Sequence, residues 1–145
     1  MITVSIEQEC PAAPADTFAA LADYSGVRQR ILPEEITDFT VLSGGAGAGT
    51  RVTYDLHATK KRIRHVDATV SEPEAGRQLL ETDANSTLTV RWLVTPAAPG
   101  SRVVATVSWQ GSGGVGGFFE RRFAPLGIRR IYAAELSNLA QTLRN

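Results

Sequence analysis

Alternation of apolar and polar residues dominates the first three quarters of the chain. Residues 2–7 place Ile2, Val4 and Ile6 on one side and polar residues on the other, which predicts a strand with one buried face. After two prolines, residues 15–22 and 25–31 predict two short helices. Further segments with a period of two predict strands at residues 36–42, 50–58, 62–71, 78–82, 88–94 and 103–109. Their short connections predict an antiparallel meander.

The last quarter of the chain changes its period. After a glycine-rich run at 111–117, apolar residues near helical spacing predict one long helix over about 118–143, kinked near Pro125: Leu126, Ile128, Tyr132, Leu136, Leu139 and Leu143. A twisted sheet must cover its apolar face, and only this helix is long enough to do so. The prediction is an α+β fold: a seven-stranded antiparallel sheet wrapped around a long C-terminal helix, with two short helices after the first strand, in one domain over 1–145.

Several stretches carry a family resemblance in addition to this order of elements. The stretches are PAAPADTFAALADY, GAGAGTRVTYDL, ATVSEPEAGRQLLE and RIYAAELSNLAQTL. Together they resemble the START-related helix-grip superfamily (SRPBCC), which includes polyketide cyclase/dehydrase-like and pollen-allergen-like proteins. The resemblance covers nearly the whole chain and implies a cavity between sheet and helix that binds apolar or amphipathic small molecules. It implies no single chemistry.

Strand register follows from the same alternation. The apolar residues around Tyr54 and around Val66 are all even-numbered, so only an even pairing sum puts both sets on one face. A sum near 122 pairs Leu56 with Val66 and Tyr54 with Ala68. In the implied cavity we expect these residues to contact a ligand: Tyr54, Leu56, Trp92, Val107, Trp109, Phe118 and Tyr132. The alternative is that they only fill a core.

Polar candidates near this wall are few. Arg64 shares the inward parity near a hairpin end, where it extends to solvent or anchors a ligand carboxylate at the cavity mouth. Lys60, Lys61 and Arg62 extend a basic cluster there, which protects a sheet edge or contacts an anionic surface. Cys10 has no histidine close in sequence, so we predict no thiol nucleophile.

Two other patterns have some features of a binding site. The predicted register sets Asp55 opposite Asp67 and His57 opposite His65, a metal-capable set by residue type, but on a solvated face. Residues 111–116 match GxGxxG, but no second parallel strand follows the helix. We therefore predict no metal and no cofactor, and interpret the glycine run as a hinge at the base of the helix.

Composition excludes further classes. The 145 residues carry 15 Lys plus Arg and 15 Asp plus Glu, a net charge of zero that argues against nucleic acid as a partner. No apolar run is long enough for integral membrane association, and the N-terminal pattern is not that of a signal peptide. The single Cys agrees with a cytoplasmic location. The chain is expected to be a monomer or homodimer.

The inward faces of the well-patterned strands contain no Asp, Glu or His, and Asp38 alone has an uncertain parity. This favours non-catalytic binding or transport of a hydrophobic small molecule (a lipid, polyketide or aromatic compound) over catalysis, and we predict no catalytic residue. One alternative is a polyketide cyclase/dehydratase-like enzyme, in which Tyr54 assists. Another is a protein-interaction module that uses the glycine-rich loop and the arginines of the last helix.

Overall fold

The architecture is described from a computed structural model. It describes residues 1–59, 62–110 and 114–144, with 114–124 by their backbone alone. The elements, in chain order, are β1 Ile2–Cys10, α1 Pro14–Ala22, α2 Val27–Arg30, β2 Ile36–Ser43, β3 Arg51–Thr59, β4 Arg62–Glu74, β5 Gln78–Asp83, β6 Thr89–Ala97, β7 Gly100–Trp109 and α3 Gly114–Arg144.

The seven strands form one antiparallel sheet in the order β1-β7-β6-β5-β4-β3-β2. The two ends of the chain meet because β1 pairs with β7, whose end leads into α3. This arrangement confirms the predicted helix-grip fold. None of the described helices has an apolar stretch long enough to cross a bilayer.

The register between β3 and β4 has the predicted parity but not the predicted sum. Tyr54 pairs with Val66 and Leu56 with Arg64, so the expected pairs of Leu56 with Val66 and Tyr54 with Ala68 are wrong by two residues. A register shift between His57 and Thr59 places an additional β3 residue beside the hairpin end. Because the sum stays even, the apolar residues of both strands still share one face.

Strand β2 changes face at a bulge. Its pairing with β3 shifts between Thr37 and Thr40, and Asp38 has a φ of 56°. Asp tolerates this left-handed conformation better than most residues. Ile36 is therefore buried before the bulge, and Phe39 and Val41 are half-buried after it. Even-numbered residues thus face inward in the first half of the strand, and odd-numbered residues do so in the second half. Asp38, whose orientation the sequence did not predict, is exposed.

Helix α3 packs an apolar stripe against the inward face of the sheet: Ile128, Ile131, Tyr132, Leu136, Leu139 and Ala140. It begins at Gly114, inside the glycine run and earlier than predicted, and continues through Pro125. Leu126 is 67% exposed, so its place in the predicted stripe is wrong. Six residues separate it from Tyr132, which rotates it about 120° away on a helix with 3.6 residues per turn.

A close approach brings the backbone of α3 against the end of β3. A Cβ atom at Gly127 would lie 2.7 Å from the carbonyl oxygen of Ala58 on β3. Glycine is therefore needed where the helix crosses this strand, because a methyl group there would push the helix away.

Candidate functional site

The residues predicted to contact a ligand lie together. Those whose side chains are described are all buried in one apolar cluster between the sheet and α3: Tyr54, Leu56, Trp92, Val107, Trp109 and Tyr132. The rings of Trp92 and Tyr132 join the two layers, with centroids 5.9 Å apart. Phe39 stacks on Tyr54 at 5.9 Å. Phe118 lies outside the described side chains, so its predicted role stays a prediction.

Arg64 lies at one edge of this wall. It is half-buried, and its Nη1 donates a hydrogen bond of 3.1 Å to Oγ of Ser86, in the connection between β5 and β6. This position agrees with the predicted location near a hairpin end. Its role as a ligand anchor stays a prediction.

Several polar atoms of the wall have no hydrogen-bond partner among the described residues. They are the indole nitrogens of Trp92 and Trp109, and the hydroxyl of Tyr132, which makes no well-aligned hydrogen bond but interacts with the hydroxyl of Tyr54; Trp92, Trp109 and Tyr132 are at most 2% exposed. Buried Trp and Tyr normally find a partner for these groups, because an unpaired buried polar atom costs free energy. The wall is therefore apolar in bulk but carries unused hydrogen-bonding capacity.

A group of charged side chains is buried beside Trp92. Arg28 of α2 is 4% exposed, and its guanidinium lies 4.6 Å from the ring centroids of both Tyr24 and Trp92. Its Nη1 donates to the carbonyl of Leu21 at 3.0 Å. Cation–π contacts are strongest when desolvated, as here. Arg28 thus fixes the first part of the chain to the middle of the sheet.

Local geometry places Arg28 there. The backbone N–H of Val27 donates to Oδ2 of Asp23 at 3.1 Å, which satisfies a donor at the start of the four-residue helix α2. A Cβ atom at Gly26 would collide with the same Asp23 oxygen. A residue without a side chain at position 26 therefore allows this capping contact.

Glu81 of β5 is the closest acid to Arg28. Its Oε2 accepts hydrogen bonds from Arg28 Nη2 at 2.9 Å and from the Tyr24 hydroxyl at 2.7 Å. Glu81 is 4% exposed, and its sheet neighbours Val70 and Val90 are also buried. Burial and Glu81 together raise the pKa of Tyr24 well above its ordinary value, so this phenol stays protonated.

Glu135 of α3 is the second buried acid. Its Oε2 lies 3.7 Å from Arg28 Nε, and its Oε1 has no hydrogen-bond partner in the described part of the chain. Burial raises the pKa of Glu135 to about 7, against the influence of Arg28 and with the help of Glu81. Burial also raises the pKa of Tyr132, with Glu135 as the next contribution. The interior therefore holds a carboxyl group that titrates near neutral pH.

These charges correct the expectation that the interior lacks ionisable groups. Arg28, Glu81 and Glu135 had not been assigned to the inward face. The six-residue strand β5 is too short for the sequence to predict which of its residues face inward, although Leu79 and Glu81, two residues apart, lie on one face. Glu135 lies three residues after Tyr132 and four before Leu139, which is helical spacing. This spacing was the signal that could have located it.

The outer face of β2, β3 and β4 carries a separate set of polar pairs. Asp55 Oδ1 contacts His65 Nδ1 at 2.5 Å, and His57 Nε2 contacts Thr37 Oγ1 at 3.0 Å. The expected pairs of Asp55 with Asp67 and His57 with His65 are therefore wrong, for the same two-residue shift in register. No cluster of three or more His, Cys, Asp or Glu able to hold a metal ion occurs among the residues described.

Two remaining features lie away from the wall. A polar cleft of about 240 Å³ is lined by Glu34, Glu35, His57, Thr59 and Arg130. It is smaller and more polar than typical sites for apolar ligands. Cys10 is buried, and burial raises the pKa of its thiol, which disfavours the reactive thiolate.

Comparison with known proteins places this geometry in a family. Residues 1–144 match the family described as polyketide cyclase/dehydrase and lipid transport. The chain belongs to this family. No curated protein matches the sequence significantly.

Solved structures agree with membership of the polyketide cyclase/dehydrase and lipid transport family. The solution structure of the KanY protein (ms6282) is 44% identical, with a TM-score of 0.90 over 99% of this chain and 98% of that one. The protein TTHA0849 from Thermus thermophilus is 19% identical, with a TM-score of 0.80 over 98% and 97% of the two chains. A START superfamily protein from Mycobacterium smegmatis is 15% identical, with a TM-score of 0.72 over 97% and 98%. The last two likenesses show the fold alone.

Proposed function

We propose that this chain binds and carries a hydrophobic small molecule that bears a few oxygen atoms, held between the sheet and α3. The observation that carries the proposal is the unused hydrogen-bonding capacity of the indole groups of Trp92 and Trp109 on an otherwise apolar wall. Sites for such ligands combine apolar walls with a few placed polar groups. The family's range, from polyketide cyclase/dehydrase to lipid transport, supports this class of ligand.

The energetics favour a ligand over a permanently dry interior. Each unpaired buried donor costs about 1–3 kcal/mol, which a ligand oxygen in hydrogen-bond distance would recover. The small side chains of Ala58, Ala68 and Ala105 lie among the larger ones on the same face and would take up little of the volume that a ligand needs. Apolar contact supplies affinity, and the indole and phenol groups fix the ligand's orientation. Lipids, polyketides and aromatic compounds fit these requirements.

The proposed setting is the cytoplasm, with the protein as a monomer or homodimer. The single cysteine suits a reducing compartment, and the zero net charge gives no general attraction to nucleic acid. The partner in this proposal is the small-molecule ligand.

Native mass spectrometry of the protein purified from its own host tests binding directly. We expect an added mass that stays with the folded protein and is lost on denaturation. The extracted compound should be apolar with at least one oxygen. A folded protein that carries no compound and takes up none from a panel of fatty acids, aromatic ketones and naphthols would contradict the proposal.

A second candidate is a cyclase/dehydratase-like enzyme, and the buried titratable groups favour it. Glu135 has a pKa of about 7, which suits both taking and giving a proton near neutral pH. Burial raises the pKa of Tyr54 well above its ordinary value, and Tyr132 is the largest neighbouring contribution, so its hydroxyl remains a donor.

Turnover of a poly-β-keto substrate distinguishes the enzyme from the carrier. The enzyme predicts that Tyr54→Phe and Glu135→Gln each reduce the rate while binding of the substrate persists. Tight binding without turnover in the unmodified protein favours the carrier.

A further inference from the structure

We infer that Glu135 is the residue that selects the ligand, by accepting a hydrogen bond from a neutral hydroxyl group. This rests on the proposed binding function and adds to it the chemical class of ligand and the residue that recognises it.

The two oxygens of Glu135 have different surroundings. Oε2 lies 3.7 Å from Arg28 Nε, whereas Oε1 is buried with no hydrogen-bond partner among the residues that the structure describes. Arg28 is held by Glu81 at 2.9 Å through Nη2, a different nitrogen from the one that faces Glu135. One carboxyl oxygen is therefore available to a ligand without loss of the ion pair that anchors α2.

Other unused atoms lie on the same part of the wall. Tyr132 is three residues before Glu135 in α3, so both side chains lie on one helix face. The Tyr132 ring is 5.9 Å from that of Trp92, whose indole nitrogen is also unpaired within the described chain. A ligand that reached this part of the wall would meet three polar groups over a short span.

The hydrogen-bonding inventory makes Glu135 the discriminating group. An indole N–H only donates and a phenol does either, but an ionised carboxylate only accepts. Carbonyl and ether oxygens on a ligand satisfy Trp92 and Tyr132. Among these three groups only Glu135 requires a donor from the ligand, and a ligand without one leaves a buried carboxylate unpaired.

A neutral donor fits better than an ammonium group. An ammonium group would have to leave water for an apolar wall, and the cost of burying its charge is large. The carboxyl group of Glu135 already lies 3.7 Å from one cation, Arg28, so it is not an unused counter-ion. A hydroxyl group supplies the hydrogen bond without the cost of burying a second cation.

The same geometry makes binding depend on pH. The groups that act on Glu135 are Arg28 from α2, Glu81 from β5, and Tyr132 and Tyr54 from α3 and β3. Burial raises the pKa of Glu135 to about 7. Because the hydroxyl prefers the ionised carboxylate, affinity should rise with pH through this range, by up to about tenfold between pH 6 and pH 8.

A matched pair of probes tests the inference by calorimetric titration. 2-Naphthol and 2-methoxynaphthalene share a ring system, but only the first donates a hydrogen bond. We expect the unmodified protein to prefer 2-naphthol by about tenfold or more at pH 8, and by less at pH 6. Glu135→Leu should bind the two probes equally, and Glu135→Gln should lose the pH dependence while its amide oxygen still accepts. Both variants keep the contact between Arg28 and Glu81, and circular dichroism checks their folding.

Four results would overturn the inference, and they separate it from the function on which it rests. Equal binding of both probes by the unmodified protein removes selection by Glu135 but leaves ligand binding intact. A preference for 2-naphthol that survives in Glu135→Leu assigns recognition to other groups. Tighter binding of 2-naphthylmethylamine than of 2-naphthol shows that the site selects a cation, not a neutral hydroxyl group. Failure of every probe to bind the unmodified protein and Glu135→Leu overturns the proposed function as well.

Discussion

Two sets of charged pairs in this molecule have similar distances but different surroundings. In the interior, Arg28 lies 2.9 Å from Glu81, and both side chains are 4% exposed. On the outer face, Arg51 lies 2.7 Å from Asp67, with side chains that are 51% and 19% exposed. The shorter contact is the weaker one, because water screens exposed charges and holds them almost as well when they separate. Burial, more than distance, decides what a charged pair does.

The comparison extends to function. The polar atoms of the outer pairs can form hydrogen bonds to water, so none of them needs a ligand as a hydrogen-bond partner. The interior set places two carboxyl groups around one guanidinium, and one oxygen of Glu135 has no partner within the described residues. A chain with zero net charge thus concentrates its unsatisfied polarity in the interior.

The largest expected effect is the loss of stability when the interior ion pair is broken. Arg28→Met keeps most of the side-chain volume but leaves Glu81 buried without its cation. We expect the free energy of unfolding to fall by about 3–5 kcal/mol, measured by urea denaturation. Arg102→Met, which removes the exposed partner of Glu9, is the matched control and should change it much less. Equal losses in the two variants would contradict the comparison.

The next effect is the pH dependence contributed by Glu135. Its pKa is about 7 in the folded protein and 4.5 as a free side chain, so the folded state binds this proton more tightly. Its contribution to stability is therefore largest below pH 4.5 and is lost as the pH rises to 7 and above, by about 3 kcal/mol in all.

Glu135→Gln tests this sign because it cannot ionise. Relative to the unmodified protein, the variant should gain stability between pH 5 and pH 8, as measured by urea denaturation at each pH. Glu9→Gln on the exposed face serves as the control and should show no such gain. A stability difference that stays constant with pH would show that Glu135 titrates normally.

The smallest effect is expected on the outer face. Asp55 contacts His65, but the His65 side chain is 76% exposed. Asp55→Asn should leave the urea midpoint and probe binding nearly unchanged, because water replaces the lost contact. A loss of stability comparable to that of Arg28→Met would mean that this pair has a structural role that exposure alone does not indicate.

Alternation was enough to predict the sheet and its inward wall. Apolar residues at every second position report burial directly, so Trp92, Trp109 and Tyr54 were placed on the correct face. The register was wrong by two residues because neither the exact pairing at the hairpin end nor the one-residue bulge between His57 and Thr59 leaves a mark in the pattern. Parity survived because an even shift does not change the face.

The charged part of the site could not be predicted in this way. Arg28 lies in a helix of four residues, too short to show a periodicity. Glu81 and Glu135 occupy positions where the pattern expects apolar residues, and a charged residue is seldom buried unless it is paired. Each acid is tolerated in the interior because Arg28 lies beside it. The three residues belong to elements that are far apart in the sequence, so a local pattern cannot predict their pairing.

The central claim, that a ligand enters the interior beside Trp92, is tested most directly by NMR of the indole N–H groups. The chain has two Trp residues, Trp92 and Trp109, so two indole signals are expected, assigned with Trp109→Phe. Titration with 2-naphthol should shift the Trp92 indole signal, with the shift reduced in Glu135→Leu. An unchanged Trp92 signal at concentrations where calorimetry detects binding would place the ligand elsewhere and contradict the account.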